Sequence, residues 1–314
     1  MHLDIALAGL IVGIVIGLTG MGGGALMTPV LVIFFHITPS AAISSDVVAS
    51  FFMKPVGAGV HVRKRTVNWT LVRWLAIGSV PAAFTGAYVI DNIASSGFEN
   101  RVKEILGIVL LVAAAAMLVK IAVQNRRGRV AAGTMLDRSL VRPVPTLLIG
   151  AIGGFIVGMT SVGSGSLMIV ALMVLYPTLS SREMVGTDLA QAIPLVGAAA
   201  LGHLVFGSVS FAVTTSVLVG AIPGVFFGAQ ISSRASDRFI RPVLVAVLTI
   251  SSLKLLNVSN RTLLVSTMVA VVACAVAFGV MARRRRREVV FVAPREVDLE
   301  TGSTPVGEPA LATE

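Results

Sequence analysis

Runs of apolar residues long enough to cross a lipid bilayer recur along nearly the whole chain. A spanning helix needs about 20 such residues, because the hydrocarbon core is about 30 Å thick and an α-helix rises about 1.5 Å per residue. Lipid offers backbone amides no hydrogen-bond partner, so these runs are predicted to be helices. A soluble domain of 314 residues would not carry 55% hydrophobic residues, 13% charged residues and a mean hydropathy of +0.92. The sequence therefore predicts an all-α fold, a polytopic transmembrane helical bundle.

The apolar segments form two series, separated by a basic stretch. The first series covers about residues 3–19, 25–36, 41–60, 70–91 and 102–123, and the second covers about 143–161, 166–177, 183–206, 209–231 and 239–256. A further segment, about 263–282, has no counterpart, and the Pro-, Gly- and acid-rich chain after it has nothing to bury. The predicted parts are a first transmembrane repeat (1–123), a basic cytoplasmic linker (124–142), a second transmembrane repeat (143–256), an extra transmembrane helix (257–282) and a basic, then acidic, disordered cytoplasmic tail (283–314).

The two series are copies of each other. The stretch from Gly17 to Met27 matches the stretch from Gly158 to Met168 at an offset of 141 residues. After a one-residue shift, the match continues at an offset of 142: Asp46 with Asp188, His61 with His203, Gly78 with Gly220, Pro81 with Pro223 and Gly86 with Gly228. Apolar composition alone does not place Asp, His, Pro and Gly in one register. The sequence thus predicts two homologous repeats.

The basic loops indicate how the repeats are oriented. Lys and Arg in short loops stay on the cytoplasmic side, which places Arg63–Arg65, the 124–142 linker and Arg283–Arg287 inside. The loop that corresponds to Arg63–Arg65 in the second repeat, Val205–Ser208, has no basic residue. Opposite charge signatures in equivalent loops are typical of an inverted-topology repeat. With five segments in each repeat, we expect the N-terminus outside and the C-terminus in the cytoplasm.

Glycine-rich stretches interrupt the apolar pattern once in each repeat. Segments 25–36 and 166–177 hold 12 residues each, about 18 Å of helix, so we interpret them as the second arms of helices broken within the membrane. Glycines would let the chain leave helical geometry there, and the positive end of the restarting helix would attract an anion. Alternatively, the glycines only let helices pack closely. The substrate-binding candidates at the breaks are Thr19, Gly20, Gly22, Gly23 and Gly24 in the first repeat and Thr160, Ser161, Gly163, Ser164 and Gly165 in the second.

A hydroxyl followed by a carboxylate lies near the start of the next apolar helix in each repeat. These pairs are Ser45-Asp46 and Thr187-Asp188. Ser45 and Thr187 are candidates for hydrogen bonds to substrate. Asp46 and Asp188 are open to two interpretations. They either cap a helix or lie at the interface, since Asp is a preferred N-cap residue, or they relay protons, since an ionisable residue at membrane depth is costly.

Four further polar residues are candidates for coupling or gating. Lys54 lies about 13 Å of helix from the cytoplasmic end of its segment, where it could attract an anion or extend to the interface. His61 and His203 occupy matching helix ends, and each is either a proton carrier or gate or an ordinary interfacial residue. Gln191 stands where the first repeat has Ala49, so it marks either substrate choice or an interhelical hydrogen bond.

Several classes of function are disfavoured by the composition. The formal charge of +10 comes from short Lys and Arg clusters between apolar segments, so no nucleic-acid partner is expected. Cys274 stands alone, which excludes an internal disulfide and a Cys-cluster metal site. The sequence contains no His-Glu-x-x-His or Walker motif, so we expect neither an enzyme nor a bound cofactor. The first apolar segment has no basic region before it, so we expect no cleaved signal peptide.

The chain resembles the TauE/SafE sulfite exporter family of membrane permeases over about residues 5–256. The resemblance is carried by the glycine-rich stretch from Gly17 to Pro29, its second copy from Gly158 to Leu172, the positions of Ser45 and Thr187, and the Gly-x-x-Pro patterns Gly78–Pro81 and Gly220–Pro223. Members are associated with moving sulfite, sulfonates and related small sulfur-containing anions across the bacterial inner membrane, which implies that location and substrate class here. The second copy departs from the first by having Val170 for Pro29, Ser161 for Gly20 and Ser164 for Gly23.

Two classes of function remain. In the first, a secondary transporter moves a small anion, using the proton gradient or the membrane potential, by rocking one repeat against the other. The resemblance implies a sulfur-containing oxyanion and export. In the second, the protein is a membrane scaffold or the membrane subunit of a larger complex, for which paired intramembrane breaks are unexpected. The predicted partners are the lipid bilayer and a small anionic substrate, and the sequence does not indicate an oligomeric state.

Overall fold

Helices make up the regular secondary structure of the described part of the chain. The structure is a computed structural model and describes residues 3–19, 23–126, 141–232 and 237–258. In those ranges the chain forms ten α-helices and one short 3-10 helix, without a β-strand. The α-helices are α1 (Leu3–Thr19), α2 (Met27–Phe34), α3 (Pro39–Arg63), α4 (Trp69–Ser95), α5 (Glu99–Arg126), α6 (Pro143–Thr160), α7 (Leu167–Leu175), α8 (Ser181–Phe206), α9 (Phe211–Ser232) and α10 (Asp237–Leu255). The predicted all-α fold is confirmed.

Each of the ten apolar segments in the two predicted series corresponds to one of these helices. The 3-10 helix, Gly23–Ala25, lies between α1 and α2. Most of the predicted 124–142 linker, nearly all of the predicted 257–282 helix and the whole predicted tail lie outside the described residues. Those parts of the predicted organisation therefore stay predictions.

Five of the described helices are long and apolar enough to cross a membrane, by length and composition. They are Trp69–Ser95, Glu99–Ile121, Pro143–Thr160, Glu183–Phe206 and Phe211–Gly228. Large apolar side chains on these helices are exposed, among them Ile77, Leu148 and Leu201. Such side chains are favourable in lipid and unfavourable in water, so the surface of the bundle suits a bilayer.

Short polar motifs determine where two of the long helices begin. Asn68 precedes α4, and its side-chain oxygen accepts a hydrogen bond from the Leu71 amide at 3.2 Å. Ser180 precedes α8 and forms a capping box with Glu183, in which each side chain bonds the backbone amide of the other residue. These bonds satisfy amides that the first turn of a helix leaves without a partner.

The helices of the two repeats pack against each other reciprocally. Helix α1 packs on α9, and α6 packs on α4. By the sequence match, α1 corresponds to α6 and α4 to α9, so the first helix of each repeat packs on the fourth helix of the other. Helices α3 and α8, which also correspond, pack together, as do α5 and α10. The two repeats are therefore interlocked rather than placed side by side.

Glycines line both of these cross-repeat contacts. A Cβ built on Gly220 of α9 would lie 1.8 Å from the Ala6 carbonyl oxygen, and one built on Gly158 of α6 would lie 2.1 Å from the Ala83 carbonyl oxygen. Other glycines at which a Cβ would come within 3.0 Å of the opposing backbone are Gly9, Gly13, Gly78, Gly86, Gly150, Gly154, Gly224 and Gly228. Membrane helices approach this closely only where small residues face each other. Close packing thus explains the regularly spaced glycines of α1, α4, α6 and α9.

The two short helices lie inside the bundle. In α2, Met27 and Leu31 are fully buried, and in α7, Met168 and Leu172 are 1% exposed. The first turns of these eight- and nine-residue helices are buried, whereas Phe34 at the end of α2 and Val174 near the end of α7 are exposed. The chain that leads into each of them is the candidate site.

Candidate functional site

The helix interruptions predicted from the glycines are present in both repeats. Helix α1 ends at Thr19 and α2 starts at Met27, whereas α6 ends at Thr160 and α7 starts at Leu167. In the second break, Ser161, Gly163 and Gly165 have positive φ angles of 61°, 121° and 94°. A side chain at such a backbone conformation is strained, which accounts for two of the glycines. Gly20, Gly22 and the side chain of Thr19 lie outside what the structure describes.

The first and second breaks meet at Gly24. A Cβ built on Gly24 would lie 1.9 Å from the Ser161 carbonyl oxygen and 2.6 Å from the Ser161 hydroxyl. Only a residue without a side chain fits that approach. The two halves of the chain therefore contribute to one site, in which Gly24 faces Ser161.

Lys54 of α3 extends into the second break. Its Nζ donates a hydrogen bond to the Ser164 hydroxyl at 2.5 Å, and its exposure is 8%. The ammonium group also interacts electrostatically with the carboxylates of Asp46 and Asp188. The interpretation that Lys54 extends to the membrane interface is therefore wrong, because its charge is held inside the bundle.

Asp188 of α8 binds the same break from the opposite side. Its carboxylate interacts with the backbone of Gly165 and with Lys54. The Gln191 side-chain amide donates to Asp188 Oδ1 at 3.5 Å and accepts from the Ser79 hydroxyl at 3.3 Å. Gln191 thus makes the interhelical hydrogen bond that was one of its two predicted roles, and it does so beside the break.

Asp46 of α3 lies against both breaks. Its Oδ2 accepts a hydrogen bond from the Thr28 hydroxyl of α2 at 2.8 Å, and the side chain of Ser161 also approaches the carboxylate. Helix α3 begins at Pro39, about two turns before Asp46, so this carboxylate does not cap the helix. Asp188 does not cap α8 either, because Ser180 does. The capping interpretation of the two carboxylates is wrong.

Sequence reasoning did not single out Lys120, Ser79, Thr28 or Ser50. Lys120 of α5 donates to the Gly165 carbonyl oxygen at 3.4 Å. It lies within an apolar segment, so the rule that marks ionisable residues at membrane depth would have identified it. Ser79, Thr28 and Ser50 carry no comparable signal, because single hydroxyls are common in membrane helices and often bond their own backbone.

Ser45 and Thr187 bond to loop backbone in the two halves. The Ser210 amide donates to the Ser45 hydroxyl at 3.2 Å, and the Asn68 amide donates to the Thr187 hydroxyl at 3.1 Å. Ser210 and Asn68 occupy corresponding positions directly before α9 and α4. The described contacts of Ser45 and Thr187 thus hold the starts of helices in the other repeat, and their role in binding substrate stays a prediction.

The remaining predicted hydroxyl, that of Thr160, shapes the end of α6. It donates to the Ile156 carbonyl oxygen at 2.7 Å and accepts from the Val162 amide at 3.2 Å. These local bonds satisfy backbone groups at the point where the helix stops. They place Thr160 in the wall of the second break.

The two histidines do not have equivalent surroundings. His203 is fully buried, and its Nδ1 lies 3.0 Å from both the Ser44 hydroxyl and Asp91 Oδ2, while its Nε2 lies 2.8 Å from the Gly158 carbonyl oxygen. His203 therefore joins α8 to α3, α4 and α6 inside the bundle. His61 contacts Thr66 at 3.0 Å within the turn that follows α3. A gating role for either histidine stays a prediction.

The fold and site define a class of protein: a multi-pass helical membrane transporter whose polar centre lies between two broken helices. The chain belongs to the family described as sulfite exporter TauE/SafE, which it matches over residues 5–255. It is also 38% identical, over 258 residues, to the probable membrane transporter protein YjnA of Bacillus subtilis, covering 82% of this chain and 100% of that one. A probable membrane transporter protein of Methanocaldococcus jannaschii is 25% identical over 265 residues, covering 80% of this chain and 93% of its relative. No solved structure matches this chain.

Proposed function

We propose that this protein is a secondary transporter that carries a small sulfur-containing oxyanion, such as sulfite or a sulfonate, out of the cell. The observation that carries the proposal is the Lys54 ammonium group, held inside the bundle on the Ser164 hydroxyl of the second break. The family description supports the sulfur chemistry and the direction of export. We further propose that the protein lies in the bacterial inner membrane with its C-terminus in the cytoplasm, as the basic loops predict.

The donors around the second break suit an oxyanion. Lys54 contributes three N–H groups, of which Ser164 accepts one. The hydroxyls of Ser161 and Ser164 can donate, and α7 begins at Leu167 with its positive end toward the break. Lys120 adds a second positive charge beside Gly165. Sulfite and sulfonates present three acceptor oxygens, which several converging donors can bind at once.

The carboxylates explain why binding can be reversible. Asp46 and Asp188 both interact with Lys54. An entering anion would compete with them for the ammonium group, so binding would replace one set of charge interactions with another. In transporters with broken helices, one repeat then rocks against the other around such a site. Because Gly24 and Ser161 touch across the repeats, that motion would open and close the site.

A membrane scaffold would not need a buried cluster of charged side chains. Burying ions inside a protein costs several kcal/mol per group before their mutual attraction offsets it. Lys54, Asp46 and Asp188 are all at most 8% exposed. Apolar residues of similar size would hold the same helices together at less cost, so a buried set of charges favours transport.

The test is calorimetric binding of sulfite and methanesulfonate to the purified protein. Wild type should bind at least one of them, and Lys54→Gln should weaken binding at least tenfold, about 1.4 kcal/mol. Lys254→Gln changes an exposed lysine in the last turn of α10 and should bind like wild type. Failure of folded wild type to bind any sulfur anion, or equal binding by Lys54→Gln, would overturn the proposal.

A further inference from the structure

Two oxygen atoms on one face of α3 have no hydrogen-bond partner in the part of the chain that the structure describes. They are Asp46 Oδ1 and Ser50 Oγ. Both residues are buried, with exposures of 0% and 2%, and residues four apart in a helix are neighbours on its surface. A buried polar atom without a partner is costly, above all on a charged group. Two such atoms together suit a ligand that both can bind.

Both oxygens face Gly23 of the first break. A Cβ built on Gly23 would lie 3.0 Å from Ser50 Oγ, 3.4 Å from Asp46 Oδ1 and 3.2 Å from the Met53 methyl group. One point beside Gly23 is therefore within reach of both oxygens, and it is open because glycine has no side chain. The second break has Ser164 at the corresponding position and Ala192 in place of Ser50. This pocket thus exists in the first repeat and not in the second.

The end of α6 adds negative potential at the same place. The Ser161 carbonyl oxygen lies against Gly24, next to Gly23. Ser161 follows the last residue of α6, where the dipole of the helix is negative. In transporters with broken helices, carbonyl groups of the unwound chain and the C-terminal ends of half-helices coordinate coupling cations. The oxygens beside Gly23 therefore attract positive charge, and the Lys54 ammonium group, which also interacts with Asp46, is held on Ser164 of the second break.

From this geometry we propose that Asp46 Oδ1, Ser50 Oγ and the Ser161 carbonyl oxygen bind a sodium ion beside Gly23. A proton fits less well, because the two side-chain oxygens do not hydrogen-bond each other and a single proton would leave one of them unpaired. A divalent ion also fits less well. Asp46 supplies one carboxylate at this point, which balances a single positive charge, and the described residues contain no group of three His, Cys, Asp or Glu side chains of the kind that holds a divalent metal.

A sodium ion bound beside Gly23 would balance the charge of an anion bound at the second break. This charge balance rests on the proposed anion site. Asp46 and Asp188 carry two negative charges, and Lys54 and Lys120, which interact with Asp188, carry two positive charges. An anion added to this neutral cluster leaves a net negative charge where the dielectric is low. A sodium ion beside Asp46 would restore neutrality. The two ions should therefore bind cooperatively.

The test uses the purified full-length chain in detergent at fixed pH, with choline as the background cation and no anionic substrate. Binding of radioactive sodium should be saturable for wild type, and Ser50→Ala should weaken it at least tenfold. Ser50→Ala introduces the residue that the second repeat already has and removes a hydroxyl that has no hydrogen-bond partner among the described residues, so the variant should fold. Asp46→Asn should abolish binding. Ser252→Ala removes a buried hydroxyl whose hydrogen bond to the Gly107 carbonyl oxygen joins α10 to α5, and this variant should bind sodium like wild type.

The outcomes separate this inference from the proposed function. Unchanged sodium affinity in Ser50→Ala, or no saturable binding by wild type, would overturn the sodium site even if sulfite is transported. If sodium binding is saturable and depends on Ser50 but the protein moves no sulfur anion, the sodium site is supported and the proposed substrate is wrong. In proteoliposomes, sulfite flux that is unchanged when sodium is replaced by choline on both sides would count against a role for bound sodium in transport.

Discussion

At the scale of single residues, a lysine inside a membrane bundle is tolerated only where polar groups of the protein replace the water that would otherwise solvate its charge. Insertion scales put the cost of Lys at the centre of a spanning helix at about 2.5–3.5 kcal/mol. Lys54 offsets this cost with the Ser164 hydroxyl and the two carboxylates that it interacts with. Asp46 lies on the same helix as Lys54, but Asp188 and Ser164 belong to the second repeat, and Ser164 is 110 residues away in sequence. The charge therefore depends on the contact between the two repeats.

Gly24 makes that contact, and an alanine there should disrupt it. The methyl group of Gly24→Ala would lie 1.9 Å from the Ser161 carbonyl oxygen, so one break must move away from the other. Overpacking of this kind costs about 1–3 kcal/mol. We expect Gly24→Ala to insert into the membrane but to lose most of its transport rate, measured in proteoliposomes at equal amounts of folded protein.

The matched control is Gly59→Ala, also a glycine-to-alanine change. A Cβ on Gly59 of α3 would meet nothing within 4 Å. This variant should transport like wild type. A normal rate for Gly24→Ala would show that close approach of the breaks is not needed for transport.

At the scale of helices, the glycine-lined contacts hold α1 on α9 and α6 on α4. Lipid provides no hydrophobic driving force for the association of apolar helices, so van der Waals packing has to stabilise it. Each glycine lets the opposing backbone approach more closely than a side chain would allow, as at Gly220 and Gly158. These contacts set the position of the ends of α1 and α6, and hence of the breaks that follow them.

Alanine at Gly220 should therefore destabilise the whole bundle. Alanine favours the helical conformation over glycine by about 1 kcal/mol, so without a clash the substitution would stabilise α9. The clash with the Ala6 carbonyl oxygen, 1.8 Å from the added carbon, should outweigh that gain. We expect a lower melting temperature in detergent for Gly220→Ala and an unchanged or higher one for Gly59→Ala. Equal melting temperatures for the two variants would mean that α1 and α9 can move apart at Gly220 without lowering the stability of the bundle.

At the scale of the whole molecule, the sequence predicts much of the fold and less of the site. The ten helices follow from apolar runs, and the breaks follow from glycines such as Gly163, because these signals are local. The contact of Gly24 with Ser161 and the bond of Lys54 to Ser164 were not predictable, because they join residues more than 100 positions apart. Ser45 and Thr187 were selected by their matching positions, but a matching position does not distinguish a helix-holding hydroxyl from a substrate-binding one.

The reciprocal packing of the two repeats leads to a prediction about their orientation. We expect the loop at Lys64 on the cytoplasmic side and the equivalent loop at Ser208 outside, as in an inverted repeat. Both residues are exposed. With Cys274 replaced by Ser, a single cysteine at Ser208 should react with an impermeant thiol reagent on intact cells, whereas one at Lys64 should react only after the membrane is opened. Labelling of both positions, or of neither, in intact cells would contradict the inverted arrangement.

The central claim is that a sulfur oxyanion crosses the membrane through the site that Lys54 and the two breaks form. Sulfite flux through the purified protein in proteoliposomes tests it most directly, with gradients of sulfite, sodium and potential imposed separately. Wild type and Lys254→Gln should move sulfite well above empty vesicles, and Lys54→Gln should fall to the level of empty vesicles while remaining folded. The account is contradicted if folded wild type moves no sulfur anion under any of these gradients, or if Lys54→Gln moves sulfite at the wild-type rate.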